Sequence, residues 1–340
     1  MKKTEFLEAL KTCLDGMDES ERRASVEYYA EMIDERMEDG MDEESAVGAL
    51  GSPFLAAEQL RAARTDAPKS QATEVNQSYP GTVHMIETDL AVTDLQVYRT
   101  QGSEITLCYY DDAENPYYLA DCTDGALSFR RSSRNMNLIG ISFSGNRFRP
   151  AKIGIPENFS GSLALSSSTG KIEIRGLDLT GDLQIKASTG AVRLEQLTVS
   201  GETTVKVSTG TVHVKDVRSK RAAFRASTGE IRLEAVKCAQ NLEVSATTGE
   251  LHILNASADE IDFKTTTGEI TAEQITVGRR IEAVATTGDV HCSLENQSAE
   301  FTIQCQTSTG ESNLPKNFGN GEKTLYAKTS TGDIDFTFAD

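Results

Sequence analysis

The sequence predicts a mainly β protein, a single-stranded β-solenoid (a parallel β-helix of about 20 residues per coil) with a small α-helical bundle at its N-terminus. Three observations predict it. A Thr-Gly step recurs nine times, at Gly170, Gly190, Gly210, Gly229, Gly249, Gly268, Gly288, Gly310 and Gly332, at intervals of 19 to 22 residues. Around each step apolar residues alternate by two, the period of a strand with one buried face. Residues 1–64 instead space their apolar positions by three and four, the period of a helix.

Length and composition bound the answer. A chain of 340 residues can bury a sizeable core and suits two domains. Its net charge of −18 argues against nucleic acid, which requires a basic footprint. Aromatics are 6% and Trp is absent, which also argues against platforms for stacking sugars or bases. Residues 1–66 carry 17 acidic and 8 basic side chains, half of the net charge. The six cysteines, Cys13, Cys108, Cys122, Cys238, Cys292 and Cys305, show no CxxC or CxxH spacing, so they read as small buried hydrophobes rather than zinc ligands or a disulfide framework. Neither a signal peptide nor a run of ~18 apolar residues is present, so the expected location is cytoplasmic or membrane-associated.

The helical segment, 1–64, comes first. Thr4 is expected to cap a helix with the stripe Phe6, Leu7, Leu10, Leu14. Asp18 followed by Glu21 suits the start of a second helix, with the stripe Val26, Tyr29 (or Ala30), Ile33, Met37 and an end at Gly40. Asp42 caps a third, and Pro53 suits the first turn of a fourth. The acidic residues Glu27, Glu31, Asp34, Glu35 and Glu38 crowd one helix, which is read as a solvated face or a surface for a cationic partner. The pieces Tyr28-Tyr29-Ala30-Glu31 and Leu50-Gly51-Ser52-Pro53, in that order, resemble the HAAS or DUF1700 module. The resemblance implies a small helical domain of bacterial membrane-associated signalling proteins.

Residues 65–81 are polar and aperiodic and read as a flexible linker. Proteins similar to the N-terminal module often place a membrane-spanning helix here. None is present, and two alternatives stay open: a natural arrangement without a span, or removal of one at this linker, which would put the protein at the cell membrane. Residues 82–160 read as irregular leading strands and a cap. Within them Arg130, Arg131, Arg134, Arg147 and Arg149 surround the apolar run Leu138 to Phe143, read as a covering hairpin or as a contact for an anionic partner.

Residues 161–340 are the repeats. Seven, five and three positions before each glycine, and two, four and seven after it, fall the inward columns, such as Leu242, Val244, Ala246, then Leu251, Ile253. Glycine suits a corner with φ > 0, and stacked Thr hydroxyls could bond from coil to coil. Ile155-Pro156 and Leu314-Pro315-Lys316-Asn317-Phe318 are expected to help terminate the stack. The motif Ser/Thr-Thr-Gly-Glu/Asp-hydrophobic, as in Ser227-Thr228-Gly229-Glu230-Ile231 and Thr267-Gly268-Glu269-Ile270, resembles the DUF4097 family of adhesin-like β-strand repeat proteins, over 82–340. The resemblance implies a non-enzymatic, envelope-associated protein.

Candidate site residues form columns. Acids follow the glycines at Glu230, Glu250, Glu269, Asp289, Glu311 and Asp333; bases precede them by four at Lys186, Lys206, Arg225, Lys264 and Lys328. Mutual neutralisation around the corner is the expectation, ahead of Ca²⁺ sites, which need six or more converging oxygens. His213, His252 and His291 share a column on alternate coils, ~9.6 Å apart, too far to share one ion. No catalytic, cofactor-binding or metal-binding residue is assigned. The function that the two resemblances imply is that of a non-enzymatic bacterial envelope interaction and signalling protein. Its expected partners are a protein or envelope component, with peripheral membrane association, and no nucleic acid. The alternatives are a polysaccharide lyase or hydrolase-like β-helix enzyme, which would need paired carboxylates in a groove built on long loops, and a scaffold that polymerises through its ends.

Overall fold

The structure is a computed structural model that describes residues 1–17, 19–38, 41–66, 73–113, 116–132 and 149–340. It is mainly β, a solenoid-like stack of parallel-paired strands, with four short helices first: α1 (Lys3–Cys13), α2 (Glu19–Glu38), α3 (Glu43–Gly48) and α4 (Pro53–Asp66).

The helices form where apolar spacing and caps agree. Phe6, Leu10 and Leu14 of the α1 stripe are fully buried, against Tyr29 and Ile33 of α2 and Ala57 and Leu60 of α4. Each such side chain contributes about 1.5–3 kcal/mol by leaving water. Asp42 caps α3 as expected, its carboxylate accepting the Ser45 N–H at 3.0 Å. Pro53 opens α4, and Ser52 accepts the Leu55 N–H. Two expectations fail. The first helix begins before Thr4, and the orphan N–H of Lys2 is taken by the Glu5 carboxylate instead. Met37 is exposed rather than core-facing, because the small module runs out of partners before the end of α2. Asp18 and Gly40 lie outside the described residues.

The linker expected over 65–81 is corrected at both ends. α4 continues to Asp66, and Thr73–Tyr79 forms β1. β1 alternates half-buried and exposed side chains and pairs antiparallel with β4 (Ile105–Asp111) along its whole length. A polar sequence suffices because only one face packs and the backbone supplies the ladder.

The repeats stack with a parallel register of 19 or 20 residues. Leu183 stands opposite Leu163, Val212 opposite Ile231, Leu242 opposite Ile261 and Ile261 opposite Ile281. The inward columns form one continuous core, with Phe224, Phe263 and Phe301 fully buried inside it.

At both ends the stacking order departs from chain order. The other leading strands are β2 (Met85–Leu90), β3 (Leu95–Thr100), β5 (Tyr118–Thr123), β6 (Ala126–Arg131) and β7 (Ala151–Pro156). β2 lies between β6 and Ser162–Ser167, and β3 lies between β7 and Ile172–Arg175. The outermost rung, β6 with β7, thus comes from a later segment than the rung beneath it. The C-terminal end repeats the arrangement. Strand Lys323–Thr331 lies between Ile270–Thr287 and Phe301–Thr309, so the spatial order of corners is Gly288, Gly332, Gly310. Each end segment of the stack is therefore held down by a rung from further inside the chain.

Antiparallel strands then close the edges. β4 covers β7, β5 covers β6, and Asn317–Phe318 pairs with Ile303 and Gln304 of the last rung. The expectation that 314–318 terminates the stack agrees with this pairing, and Pro156 ends β7 in the outermost rung. Such closure removes the free edge that would template pairing with another chain.

Candidate functional site

Two corners with positive φ recur along the stack, and the five repeats of Gly190 to Gly268 have both. At the first, the glycines from Gly190 to Gly332 have φ between 135° and 154°. Each repeat presses against the next there. A Cβ on Gly229 would stand 1.7 Å from the Gly210 carbonyl oxygen, and one on Gly249 would stand 1.8 Å from that of Gly229. The corner ladder is made by backbone: Gly229 N–H donates to Thr248 O, Gly249 to Thr267 O and Gly268 to Thr287 O, at 2.9–3.0 Å. The coil-to-coil hydroxyl bonds come from a different residue than expected. Thr265, Thr307 and Thr329, three before the glycine, donate to Gly249, Gly332 and Gly288 carbonyls at 3.0–3.3 Å.

The second corner falls six residues after the glycine. Gly176, Gln196, Asp216, Ala235, Asn255 and Gln274 all stand at φ between 53° and 69°. Sequence reading misses this column because its residues share no chemistry. The one faint signal was its Gln, Asp and Asn members, the last two tolerant of left-handed backbone.

The charged columns do not neutralise one another around the corner. The acids after the glycines bond along their own edge. Glu230 receives Arg232 at 2.6 Å, Glu250 faces His252 at 3.1 Å, and Glu269 accepts from Thr271 at 2.8 Å. Asp289 and Asp333 each accept the backbone N–H of the neighbouring corner, from Asp333 at 2.8 Å and Glu311 at 2.7 Å. Among the described residues no cluster of three or more His, Cys, Asp or Glu is arranged to hold a metal ion. The histidine register is as read: His213 opposes Arg232, Arg232 opposes His252, and Thr271 separates His252 from His291.

Two of the bases, Arg225 and Lys264, pair instead with acids 18 residues later, on the next repeat. Arg225 makes a two-pronged contact with Glu243 at 2.6 and 3.0 Å, and Lys264 meets Glu282 at 3.0 Å. Arg280 bridges Asp262 and Glu282, both at 2.6 Å. Hydrogen bonds and charge from Arg280 and Lys264 hold the Glu282 carboxyl below its ordinary value despite burial, whereas burial dominates at Asp262 and raises it. The equivalent positions on the next repeat beside Lys186 and Lys206 are Thr204 and Ala223, which carry no charge. These two lysines are exposed, and among the described residues neither has an ion-pair partner within 4 Å. Reading the column four before each glycine together with the column six before the next glycine would have separated them in sequence.

Both lysines floor a cleft of about 930 Å³, with Ser188, Ser208 and Arg225 beside them and Ala30 and Asp34 of α2 on its far side. The arginine-rich segment contributes less. Arg130 approaches Asp121 at 3.8 Å, and Arg149 lies 4.8 Å over the Tyr110 ring and bonds its hydroxyl. Arg134, Arg147 and the run 138–143 lie outside the described residues.

Three of the six cysteines are packed into the core. Cys238, Cys292 and Cys305 are buried, and burial pushes the Cys238 thiol up to about 12 and Cys292 higher still. Cys122 is exposed, against the expectation that all are buried. Asp111, although buried, is spent on structure: it accepts the backbone N–H groups of Asp112, Tyr117 and Tyr118 at 2.8–2.9 Å. No helix among the described residues is long and apolar enough to cross a membrane.

Comparison with known proteins bears on this architecture. The sequence model described as Toastrack DUF4097 matches residues 83–337, and the one described as HAAS matches residues 5–59. Solved structures similar to this chain include two named "putative adhesin" and one named "putative lipid binding protein". One adhesin, from Parabacteroides distasonis, is 14% identical, covers 80% of this chain and 100% of its own, and superposes with a TM-score of 0.51. The other, from Parabacteroides merdae, is 14% identical over 78% of this chain and 98% of its own, at a TM-score of 0.47. The lipid binding protein, also from Parabacteroides distasonis, is 16% identical over 77% of this chain and 96% of its own, at 0.47. No curated protein matches the chain.

Proposed function

The chain belongs to the Toastrack DUF4097 family, and from that premise we propose that it is a non-enzymatic, adhesin-like protein of the bacterial envelope. In this reading the strands wind as one β-solenoid, a parallel β-helix of about twenty residues per coil, and form a rigid binding rod. The HAAS segment at its N-terminus meets a signalling partner, and the protein works at the membrane surface.

The observation that carries the reading is the regularity of the outward columns. The 19–20-residue register from Leu163 to Ile281 leaves no inserted loops on which paired carboxylates could converge. Surface charge is instead laid out in ladders along the stack, which suits attachment to an extended partner better than bond cleavage. The adhesin name of the Parabacteroides distasonis structure, extended to this chain, agrees with that layout.

The test pairs two measurements on the full chain. Co-sedimentation with isolated peptidoglycan sacculi and with membrane vesicles should show saturable binding to at least one. Incubation with a panel of anionic and neutral polysaccharides should release no new reducing or unsaturated ends. Binding to neither fraction, or catalytic release of chain ends, would overturn the reading.

A further inference from the structure

We propose that a shallow cleft beside Tyr98, on the outward face near the N-terminal end of the stack, is a subsite for one neutral sugar ring of a glycan chain. The inference rests on this cleft alone and does not depend on the envelope reading.

The cleft is a grid. Three adjacent rungs, β3, Ile172–Arg175 and residues 192–195, each bring two outward side chains into register. Gln96 stands opposite Glu173, and Glu173 opposite Arg193. Tyr98 stands opposite Arg175, and Arg175 opposite Glu195. These six side chains line a cleft of about 220 Å³. Val97 and Ile174, between the two rows, are buried in the core, so their backbone floors the cleft. By strand geometry the grid measures about 10 Å across the rungs and about 7 Å along them, the footprint of a single sugar ring with its hydroxyls.

The aromatic wall is the first support. Of the nine tyrosines only Tyr98 is exposed, at 40%. Gly154 sets its position. The two residues pair across β3 and β7, and the Tyr98 Cζ lies 3.5 Å from where a Gly154 Cβ would stand. The ring thus leans over the bare β7 backbone, away from Arg175, and the cleft occupies the side it leaves. A tyrosine so placed offers apolar surface to the C–H face of a sugar. The scarcity of aromatics argues against an extended stacking platform, but one ring suffices for one sugar. No later rung carries Phe or Tyr in either row of this face.

The polar wall is the second. Its lining charges cancel, Arg175 and Arg193 against Glu173 and Glu195, which suits a neutral ligand better than a polyanion or a cation. Arg175 meets Glu195 at 2.8 Å, and Arg193 approaches the same carboxylate at 3.8 Å. Glu173 accepts from Gln96 at 3.2 Å and pairs with Lys171 outside the grid. The Lys171 hydrogen bond, above all, holds the Glu173 carboxyl below its ordinary value, so it stays an acceptor. A guanidinium only donates and a carboxylate only accepts, whereas a hydroxyl does both. A guanidinium beside a carboxylate therefore matches two adjacent sugar hydroxyls, which accept from one and donate to the other. Arg175 and Arg193 are 62% and 43% exposed, so exchanging part of a solvent-screened ion pair for a ligand costs little.

The experiment labels the tyrosines of the full chain with fluorine and follows their nine resonances. The Tyr98 resonance is the one lost in Tyr98→Phe. Cellotetraose and the tetramer of N-acetylglucosamine are the probes. At least one should shift the Tyr98 resonance saturably, with a Kd on the order of 1 mM, as suits a single open subsite. Arg193→Gln should weaken that binding about fivefold or more, with an unchanged circular dichroism spectrum. Read by saturation transfer to the sugar, Tyr98→Ala should weaken it about tenfold or more, whereas Tyr98→Phe, which keeps the apolar face, should bind within about threefold of the parent. The proposal is overturned if neither tetrasaccharide moves the Tyr98 resonance at about 20 mM, well above that Kd. It is also overturned if inorganic phosphate moves the resonance and the saccharides do not, because the two arginines would then form an anion site. Unchanged binding by both Arg193→Gln and Tyr98→Ala would overturn it too, because the sugar would then lie elsewhere.

Discussion

The five repeats from Gly190 to Gly268 each carry two corners with positive φ, and the two are built on opposite terms. The Thr-Gly corner combines φ near 140° with a neighbouring carbonyl 1.7–2.0 Å from where a Cβ would stand, from Gly210 to Gly288. Conformation and space both exclude a side chain, so glycine recurs and the corner is visible in sequence. The second corner uses φ of 53–57° at Gln196, Asp216, Ala235, Asn255 and Gln274. That is ordinary left-handed backbone, at about 1–2 kcal/mol for an L-residue, and an outward side chain fits. Identity is free to vary there, and the corner is invisible in sequence. A repeat is therefore legible where sterics leave one residue, and silent where the cost is small enough to be absorbed elsewhere.

The largest effect that could break this comparison is a side chain at the first corner. Gly229→Ala should destabilise the chain by about 4 kcal/mol, since both the φ penalty and a backbone shift must be met, and chemical denaturation will show whether it does. A loss below about 1 kcal/mol would mean that the corner tolerates a Cβ and that the glycines recur for another reason. Next comes the hydroxyl that braces this corner. Thr329→Val should cost about 1–2 kcal/mol, because Thr329 is buried and its hydroxyl serves the Gly288 carbonyl at 3.0 Å. A neutral result would assign the corner to backbone alone. At the second corner the sign reverses: Ala235→Gly should raise stability by about 1 kcal/mol, by relieving a left-handed alanine. Thermal unfolding would detect it, and a loss would show that Ala235 packs in a way its φ does not report. The smallest effect lies away from both corners. Glu243→Gln should cost only a few tenths of a kcal/mol, vanishing in high salt, because the Glu243–Arg225 pair is two-fifths exposed on both sides.

The same contrast explains what sequence reading reached and what it missed. The inward columns were legible because alternation by two admits few exceptions: Leu242, Val244 and Ala246 are all buried. The helical module was legible where Asp42 and Pro53 made local contacts, and less so at Met37, where exposure depends on the size of a distant core. The stacking order at the ends was not legible. Thr331 pairs with Thr287 on one side and with Thr309 on the other, and all three carry the same Thr-Gly step. A motif that makes every rung compatible with every other cannot state which rung comes next. β1 was missed for a related reason: Thr73–Tyr79 is polar, and its pairing with β4 is carried by backbone. At the surface, the acidic column was legible but its partners were not. Arg232 and His252, each two residues away from its acid, outcompete bases across the corner.

The account rests on the claim that the two corners differ in steric demand, and one repeat contains both. Gly249→Ala and Asn255→Ala lie six residues apart in it, at φ of 154° and 55°. Denaturant unfolding of the two variants against the parent chain tests the claim directly. The account predicts that Gly249→Ala loses at least about 3 kcal/mol more than Asn255→Ala, whose own loss stays near 1 kcal/mol. Losses equal to within about 1 kcal/mol would contradict it, because the glycine corner would then demand no more of its residue than the corner that tolerates any.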